Sequence, residues 1–173
     1  MTDAEKNYVI AQTLRGVTPM NPARSVVEDF GVIEGFPYVI MFMDLGTRNG
    51  YLGIDVKSRK QEELDVLEYD IRVYGGITYN SFSAPAKGLM LGLYWLGFDC
   101  NHIDDLPDLD GIRTNFGEAM YEARKGLEAS FSDPSDPLGI PKTIKDQEFV
   151  MRQIAYMVPQ VRKRGYRPIF KED

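Results

Sequence analysis

The sequence is poor in the residues that cross-link small proteins or bind metals. Its 173 residues include one cysteine, Cys100, one histidine, His102, and one tryptophan, Trp95. One cysteine cannot form an internal disulfide bond, so the expected location is a reducing cytoplasm. Because no second group of Cys or His residues exists to complete a tetrahedral zinc site, we expect no bound metal and no cofactor.

Long apolar runs and an excess of positive charge are also missing. No segment reaches the roughly 18 to 20 apolar residues of a membrane span, and residues 1–6 lack the basic and apolar regions of a signal peptide. The chain has 20 Lys and Arg against 26 Asp and Glu, a formal charge of −6. Nonspecific nucleic-acid binding requires clustered basic residues, so we expect no such binding. Because no apolar span is present, we expect no membrane binding either. An acidic surface suits a basic partner instead.

Helical patterns are predicted at the N-terminal end, over residues 1–35. Thr2 and Glu5 have the spacing of a capping box, which predicts a helix over residues 2–15. Pro22 is a favourable first helical residue, so a second short helix is expected to begin there and to end at Gly31.

Strand patterns occupy the middle of the chain, over residues 36–102. Asn49 and Gly50 tolerate positive φ and predict a hairpin turn, while Gly75 and Gly76 interrupt a strand pattern and indicate a bulge or a bend. The predicted strands cover residues 36–45, 51–56, 69–79 and 88–102, the last being an apolar central strand.

Helical patterns return over residues 114–158. Thr114 and Thr143 are the expected N-caps of two helices, which a proline-rich loop at 132–141 would separate. Residues 162–173 are basic and are expected to form a loose tail. Strands in the middle and helices at both ends predict a single α+β domain of residues 1–173. It would contain an antiparallel sheet of about four strands, with helices packed from both termini.

The exit of the central strand carries the most reactive side chains. Residues two apart on an extended chain share a face, so Cys100 and His102 could approach each other as a thiolate and an imidazolium. The alternative is that Cys100 is a small buried hydrophobic residue. Asp99, if buried, would need hydrogen-bond donors, and backbone N–H groups near Gly75 and Gly76 could supply them.

The segment that contains the two glycines has two interpretations. As a ligand cradle, it would offer the backbone N–H groups of Gly75 and Gly76 and the hydroxyl groups of Thr78 and Tyr79. As a sheet bulge, it would only let a neighbouring strand bend. No phosphate-binding fingerprint such as a Walker sequence is present.

Two motifs resemble the signature of a family of small phage and prophage proteins. They read Tyr74-Gly75-Gly76-Ile77-Thr78-Tyr79 and Gly97-Phe98-Asp99-Cys100-Asn101-His102. The family's versions are His-Gly-Gly-(Leu/Ile)-Thr-Tyr and Gly-Phe-Asp-Cys-Ala-His, and the similarity extends over residues 50–157. Tyr74 replaces the family's His, which removes the most natural partner of His102 in a metal site or an acid–base pair. The resemblance implies an accessory gene of a bacterial virus or integrated element, without a known reaction.

Three functions are compatible with these features. The leading hypothesis is an accessory protein that binds a host or phage protein, or sequesters a ligand, and so inhibits a bacterial anti-phage defence system. The alternative is a small hydrolase or transferase that uses Cys100 or Asp99 with His102. A third is a binder of a nucleotide-like small molecule, which would be held by Gly75, Gly76, Thr78, Tyr79 and Asp99. The sequence leaves homo-oligomerisation open.

Overall fold

The chain folds into an α+β structure around one five-stranded antiparallel sheet. The computed structural model describes residues 2–131 and 142–170, and the loop expected at 132–141 lies outside them. In chain order the elements are α1 (Asp3–Arg15), β1 (Thr18–Pro19), β2 (Ser25–Ile33), β3 (Phe36–Met43), β4 (Arg48–Ile54), α2 (Gln61–Asp65), α3 (Leu67–Asp70), β5 (Tyr79–Ser81), β6 (Ala86–Lys87), β7 (Tyr94–Asp99), β8 (Asp105–Leu106), α4 (Leu109–Phe116), α5 (Glu118–Phe131), β9 (Thr143–Ile144) and α6 (Gln147–Lys163).

The main sheet has the strand order β2-β3-β4-β7-β5, and each neighbouring pair is antiparallel. The first three strands form a meander, and β7 then pairs with the free side of β4. This arrangement confirms the predicted α+β class, with five strands rather than about four. Two short pairs lie outside the main sheet: β1 with β6, and β8 with β9, which is parallel.

The main sheet buries a hydrophobic cluster on each face because strand side chains alternate. On one face, Ile40 and Leu96 pack with residues of α6, including Ile154 and Val158. On the other face, the neighbouring Trp95 packs in a second cluster, together with Val39, Leu89 and Leu93. The helix α6 therefore covers one side of the sheet, and β7 contributes to both clusters.

The first predicted helix is confirmed and the second is wrong. At the start of α1, the Thr2 N–H donates to Glu5 Oε2 at 2.8 Å and the Glu5 N–H donates to Thr2 Oγ1 at 3.2 Å, as a capping box requires. The segment after Pro22, however, is the strand β2, in which Val27 pairs with Met41 of β3. Short apolar patterns fit either a helix or a strand, and here pairing with β3 decides the outcome.

The hairpin between β3 and β4 turns earlier than the Asn49-Gly50 pair predicted. The Met43 N–H donates to the Thr47 carbonyl at 2.8 Å, and Gly46 adopts a positive φ of 83°. Asn49 and Gly50 instead lie inside β4. A Cβ on Gly50 would lie 2.7 Å from the ring of Phe98 on β7, so this glycine permits close approach of two strands rather than a turn.

The strand predicted over residues 69–79 is also wrong. Residues Leu67–Asp70 form the helix α3, and a loop then runs to β5 at Tyr79. Gly75 and Gly76 lie in this loop with φ values of 70° and 82°. They turn the chain, because most side chains avoid these conformations, and they are not a bulge within a strand. The predicted central strand is confirmed only as β7, Tyr94–Asp99.

The C-terminal helices begin at other residues than predicted. Asp108 caps α4, because its side chain accepts a hydrogen bond from Gly111 N–H, whereas Thr114 lies within this helix. Asp146 caps α6 through Phe149 N–H, whereas Thr143 pairs in β9. Aspartate is as good an N-cap as threonine, so residue type alone could not discriminate between these positions.

The predicted loose tail is instead partly helical and partly packed. The helix α6 continues through Lys163, and Tyr166 is only 4% exposed. Beyond it, the N–H groups of Ile169 and Phe170 donate to the Gly35 carbonyl at 2.9 and 3.2 Å. The ring of Phe170 also lies 4.8 Å from that of Tyr8, so the described part of the tail ties both ends of the chain to the sheet.

Candidate functional site

The loop that leaves β7, residues 99–105, is held by its own hydrogen bonds. Asp99 Oδ1 accepts from Asn101 N–H at 3.2 Å, and Asp105 Oδ2 accepts from His102 N–H at 2.8 Å. The Asp105 N–H donates back to the His102 carbonyl at 3.0 Å. We call residues 99–105 the acidic loop. Short side chains that bond to nearby backbone groups favour such a tight, non-helical path.

The imidazole of His102 lies between two carboxylates. Its Nδ1 is 2.9 Å from Oδ2 of Asp105, whose side chain is only 2% exposed, and its Nε2 is 3.7 Å from Oδ1 of Asp99. The His102 side chain is 30% exposed and the Asp99 side chain 33%. A buried acceptor at Nδ1 fixes the orientation of the ring and directs Nε2 towards Asp99.

Asp105 is the centre of the polar network below the acidic loop. Its Oδ1 accepts the hydroxyl of Tyr74 at 2.7 Å and the ammonium of Lys145 at 3.0 Å. Burial alone would raise the pKa of Asp105, but hydrogen bonds from Tyr74, Lys145 and His102 outweigh it and lower that pKa. Asp105 is therefore ionised at neutral pH. Burial and the two carboxylates of Asp104 and Asp105 raise the pKa of Tyr74.

The two predicted motifs meet at His102. A Cβ on Gly75 would lie 2.3 Å from Nε2 of His102, so only a glycine allows the ring to lie there. The Tyr74 ring stands edge-on to the imidazole, with 5.0 Å between the ring centres. Tyr74 therefore contacts His102, and its hydroxyl binds the same Asp105 that orients the ring.

Cys100 lies in the hydrophobic cluster that α6 covers and is only 1% exposed. Burial, followed by the charges of Asp105 and Asp99, raises the pKa of its thiol to about 12. Both ring nitrogens of His102 face carboxylates rather than the Cys100 sulfur. This arrangement agrees with the alternative in which Cys100 is a small buried hydrophobic residue, since a nucleophilic cysteine needs an accessible thiolate.

The groups expected to cradle a ligand are largely bonded within the chain. The Gly76 N–H donates to the Val73 carbonyl and the Thr78 N–H to the Gly97 carbonyl, both at 2.9 Å. The Tyr79 hydroxyl donates to the Ser83 carbonyl. Gly75, by contrast, supports His102 by steric fit. Asp99 accepts its hydrogen bond from Asn101 rather than from backbone groups near the glycines.

A groove of about 480 Å³ lies beside the acidic loop. Asp99 and Asn101 form one side of it, and the β3–β4 turn forms the other through Leu45. The groove is open and is also lined by Arg24, and Ile103 of the acidic loop, which is 58% exposed, lies outside this lining. Together these residues give a surface that mixes carboxylates with exposed apolar side chains.

A second polar cluster supports the acidic loop from β4. Arg48 is only 6% exposed, and it binds Glu28 at 2.7 Å and Asp108 at 2.9 Å. Burial lowers the pKa of Arg48, but the two carboxylates raise it more. The Arg48 carbonyl also accepts from Cys100 N–H at 2.9 Å, which joins the cluster to the start of the loop.

Sequence reasoning missed three of the residues that build the site: Tyr74, Asp105 and Lys145. Asp105 carried a weak signal, because it follows Asp104 in what reads as an ordinary solvated acidic stretch. Lys145 carried none. Its position depends on the parallel pairing of β9 with β8, in which Thr143 lies opposite Asp105.

Among residues 2–131 and 142–170, no group of three or more His, Cys, Asp or Glu side chains is arranged to hold a metal ion. In the same part of the chain, no helix is both long enough and apolar enough to cross a membrane. Neither a protein-family model, nor a curated protein, nor a solved structure matches this chain.

Proposed function

We propose that this protein is a phage or prophage accessory protein that acts by binding a protein of the bacterial host or of a phage. The expected consequence is inhibition of an anti-phage defence system in the host cytoplasm. The observation that carries the proposal is the acidic loop, which Tyr74 and Lys145 hold in place through Asp105. The loop presents the carboxylates of Asp99 and Asp104 and the exposed side chain of Ile103. The motifs that resemble the phage family build this same surface.

Rigidity of the loop supports a binding role. Three hydrogen bonds hold residues 99–105, and Asp105 anchors them to Tyr74 and Lys145. A segment that is already ordered loses little conformational entropy when it binds, so more of the contact energy appears as affinity. The exposed Ile103 offers an apolar contact at the tip.

The negative charge of the acidic loop determines the sign of charge that we expect on the partner surface. The chain has a formal charge of −6, and Asp99 and Asp104 are partly exposed on the acidic loop. Complementary charge raises association rates and excludes partners of the wrong sign. The partner surface is accordingly basic with an apolar recess, as on proteins that bind nucleic acid.

The first test is phage plating on bacterial strains that each carry one defence system, with and without expression of this protein. We expect expression to restore plaque formation against at least one system. Ile103→Asp should abolish the effect, whereas Leu91→Asp, the same change at a residue 89% exposed outside the loop, should not. Once the target is isolated, Ile103→Asp should weaken binding about 30-fold, the loss of a typical hot-spot residue.

Equal activity of the Ile103→Asp and wild-type proteins, with both folded, would remove the acidic loop from the proposal. Cys100→Ala is the second variant to plate. It should retain activity if it folds, because the thiol does not reach the surface. Loss of activity in a folded Cys100→Ala protein would point to chemistry at the thiol instead.

The His102–Asp105 pair favours a second candidate function, an enzyme in which His102 is a general base. A buried carboxylate that binds Nδ1 and so orients a histidine is part of the arrangement used to activate a nucleophile. Here His102 would take the proton of an attacking water, or Asp99 would attack directly as a carboxylate, and Cys100 would take no part. Turnover in a panel of ester and phosphodiester substrates, lost in His102→Gln and kept in Cys100→Ala, would establish this alternative.

A further inference from the structure

A second polar cleft lies at the opposite end of α6 from the acidic loop. Residues 55–59, which follow β4, form one wall, and residues 165–169, which follow α6, form the other. We call it the tail cleft. Its volume is about 640 Å³. The 17 residues of α6 separate it from the acidic loop by about 25 Å, at 1.5 Å per residue.

The tail cleft concentrates positive charge in an acidic protein. Lys57 and Arg59 line the first wall, Arg167 lines the second, and Asp55 is the one carboxylate among the lining residues. Asp55 uses its side chain to accept the Lys57 backbone N–H at 3.1 Å. Within the described part of the chain, no carboxylate forms an ion pair with the side chains of Lys57 or Arg167. Two exposed cations thus face one cleft without a partner from the described residues.

Arg59 is held in place at the base of the tail cleft. Its guanidinium lies 4.2 Å above the Tyr166 ring, Nη2 donates to the Arg164 carbonyl at 3.0 Å, and Nη1 pairs with the exposed Glu63 carboxylate at 3.5 Å. A Cβ on Gly165 would lie 2.9 Å from Nη2, so the glycine lets the guanidinium pack closely against the backbone. The Arg164 Nη1 in turn donates to the Gln160 carbonyl at 3.0 Å. These bonds offset the negative end of α6, which would otherwise repel an anion.

We propose that the tail cleft binds a phosphorylated small molecule, with its phosphate groups between Lys57, Arg59 and Arg167. Ser58 adds a hydroxyl donor on the same wall. Arginine and lysine are the preferred partners of phosphate, and the volume of the cleft falls within the range of small-molecule sites. Because charges interact over only about 8 Å in physiological salt, the local cations outweigh the net charge of −6.

The phosphate groups, rather than a base, define the ligand class. Tyr166 is 4% exposed and Arg59 covers its ring, so this tyrosine offers no free face for stacking a nucleobase. The affinity should therefore increase with the number of linked phosphates and depend little on the group that carries them. This proposal goes beyond the binding function of the acidic loop and does not rest on it.

The test is calorimetric titration of the full-length protein with inorganic phosphate, pyrophosphate and ATP. We expect ATP, with three linked phosphates, to bind more tightly than pyrophosphate, and pyrophosphate more tightly than phosphate. The double variant Lys57→Ala/Arg167→Ala should weaken pyrophosphate binding at least about tenfold, since each removes a charge-assisted contact. Both side chains are exposed, so the variant should fold. The matched control, Lys6→Ala/Lys87→Ala, removes the same charge at exposed residues outside the cleft.

Two results would overturn the proposal: no binding of pyrophosphate at millimolar concentrations, or equal weakening in both double variants, which would indicate nonspecific attraction. Tighter binding of a single-stranded oligonucleotide than of pyrophosphate would replace the small molecule with nucleic acid. Phage plating tests the acidic loop at the other end of α6, whereas the titration tests the tail cleft. Failure of one proposal is therefore distinguishable from failure of the other.

Discussion

Gly75 and His102 are the pair of residues that couples the two motifs most tightly. Gly75 combines a φ of 70° with a position where a Cβ would lie 2.3 Å from Nε2 of His102. Gly76 has a similar φ of 82°, but no atom lies within 4 Å of the place that a Cβ would occupy, so it provides a matched control. The two glycines separate the backbone requirement from the steric requirement.

We expect Gly76→Ala to lower the free energy of unfolding by about 1 to 2 kcal/mol, the cost of a left-handed alanine. Gly75→Ala should cost about 1 to 3 kcal/mol more, because the ring of His102 must move. Urea denaturation measures both. His102 is the only histidine, so its Cε1–H resonance reports ring displacement without assignment work. Equal losses and an unmoved resonance would contradict the contact.

Asp105 should make stability depend on pH. Its folded pKa lies below its ordinary value of 3.8, so its contribution is complete above that pH and is lost as the pH falls through the folded pKa. Tyr74→Phe removes one hydrogen bond to Asp105 and should cost about 1 kcal/mol at neutral pH. Part of that cost should disappear in acid, once Asp105 is protonated.

Urea denaturation in steps from about pH 7 down to about pH 2 measures this effect, because the folded pKa of Asp105 lies below 3.8. Tyr156→Phe, at a tyrosine that is 52% exposed, serves as the control and should change stability little at any pH in this range. A Tyr74→Phe cost that stays the same in acid would mean that the hydroxyl does not act through the charge of Asp105.

Residues of the site were predictable where the signal was local in the chain. Asp99, His102 and Gly75 stood out in short motifs, and the structure brings these three together. Lys145 belongs to the same network but lies 40 positions from Asp105, and only the β8–β9 pairing places it there. Contacts made by tertiary pairing leave no trace in local spacing.

Helices and strands were likewise predictable where the signal was local in the chain. The helix α1 begins at a capping box that is complete within four residues, and it was predicted correctly. The strand β2 was predicted as a helix, because Val26, Val27 and Phe30 fit both periods and its ladder with β3 is a tertiary feature. The fold class was robust to this error, since the strands and helices of the remaining chain still separate into an α+β order.

Pro159 shows how packing of a helix overrides a local signal. A proline inside a helix usually ends or kinks it, yet α6 continues through Lys163. Val158 and Val161, on either side of it, are fully buried in the hydrophobic cluster between α6 and the sheet. Burial of these side chains compensates for the backbone hydrogen bond that a proline cannot donate.

Replacing this exposed proline should therefore stabilise the protein. We expect Pro159→Ala to raise the free energy of unfolding by about 1 to 3 kcal/mol, because it restores an N–H donor inside the helix. Pro22→Ala, outside any helix, should show no such gain. Chemical denaturation compares the two, and a loss of stability in Pro159→Ala would show that the proline ring itself is required.

At the scale of the whole molecule, the C-terminal segment packs against the hydrophobic core and bonds to the β2–β3 turn. Tyr166 is buried against the cluster that α6 covers, and Ile169 and Phe170 bond to Gly35. We expect Tyr166→Ala to lower the free energy of unfolding by about 3 kcal/mol or more, the usual cost of truncating a buried aromatic residue. The neighbouring exposed Arg167→Ala should change it by less than about 0.5 kcal/mol.

Differential scanning calorimetry of the two variants measures this contrast. A small effect of Tyr166→Ala would restore the expectation of a loose tail.

The charge of the molecule is unevenly distributed, with carboxylates on the acidic loop at one end of α6 and cations in the tail cleft at the other. Composition averages these ends into a single acidic value, which is why the sequence did not predict the cleft.

The order of elements along the chain has a consequence for synthesis. All five strands of the main sheet precede α6, the helix that covers one of its faces. At typical rates of translation, the roughly 90 residues between β4 and α6 take about 5 to 20 s to make. During that interval the nascent meander exposes Ile40, Leu52 and Ile54 to solvent. Chaperone occupancy on the ribosome should therefore be highest before Gln147 is added and should fall once α6 emerges.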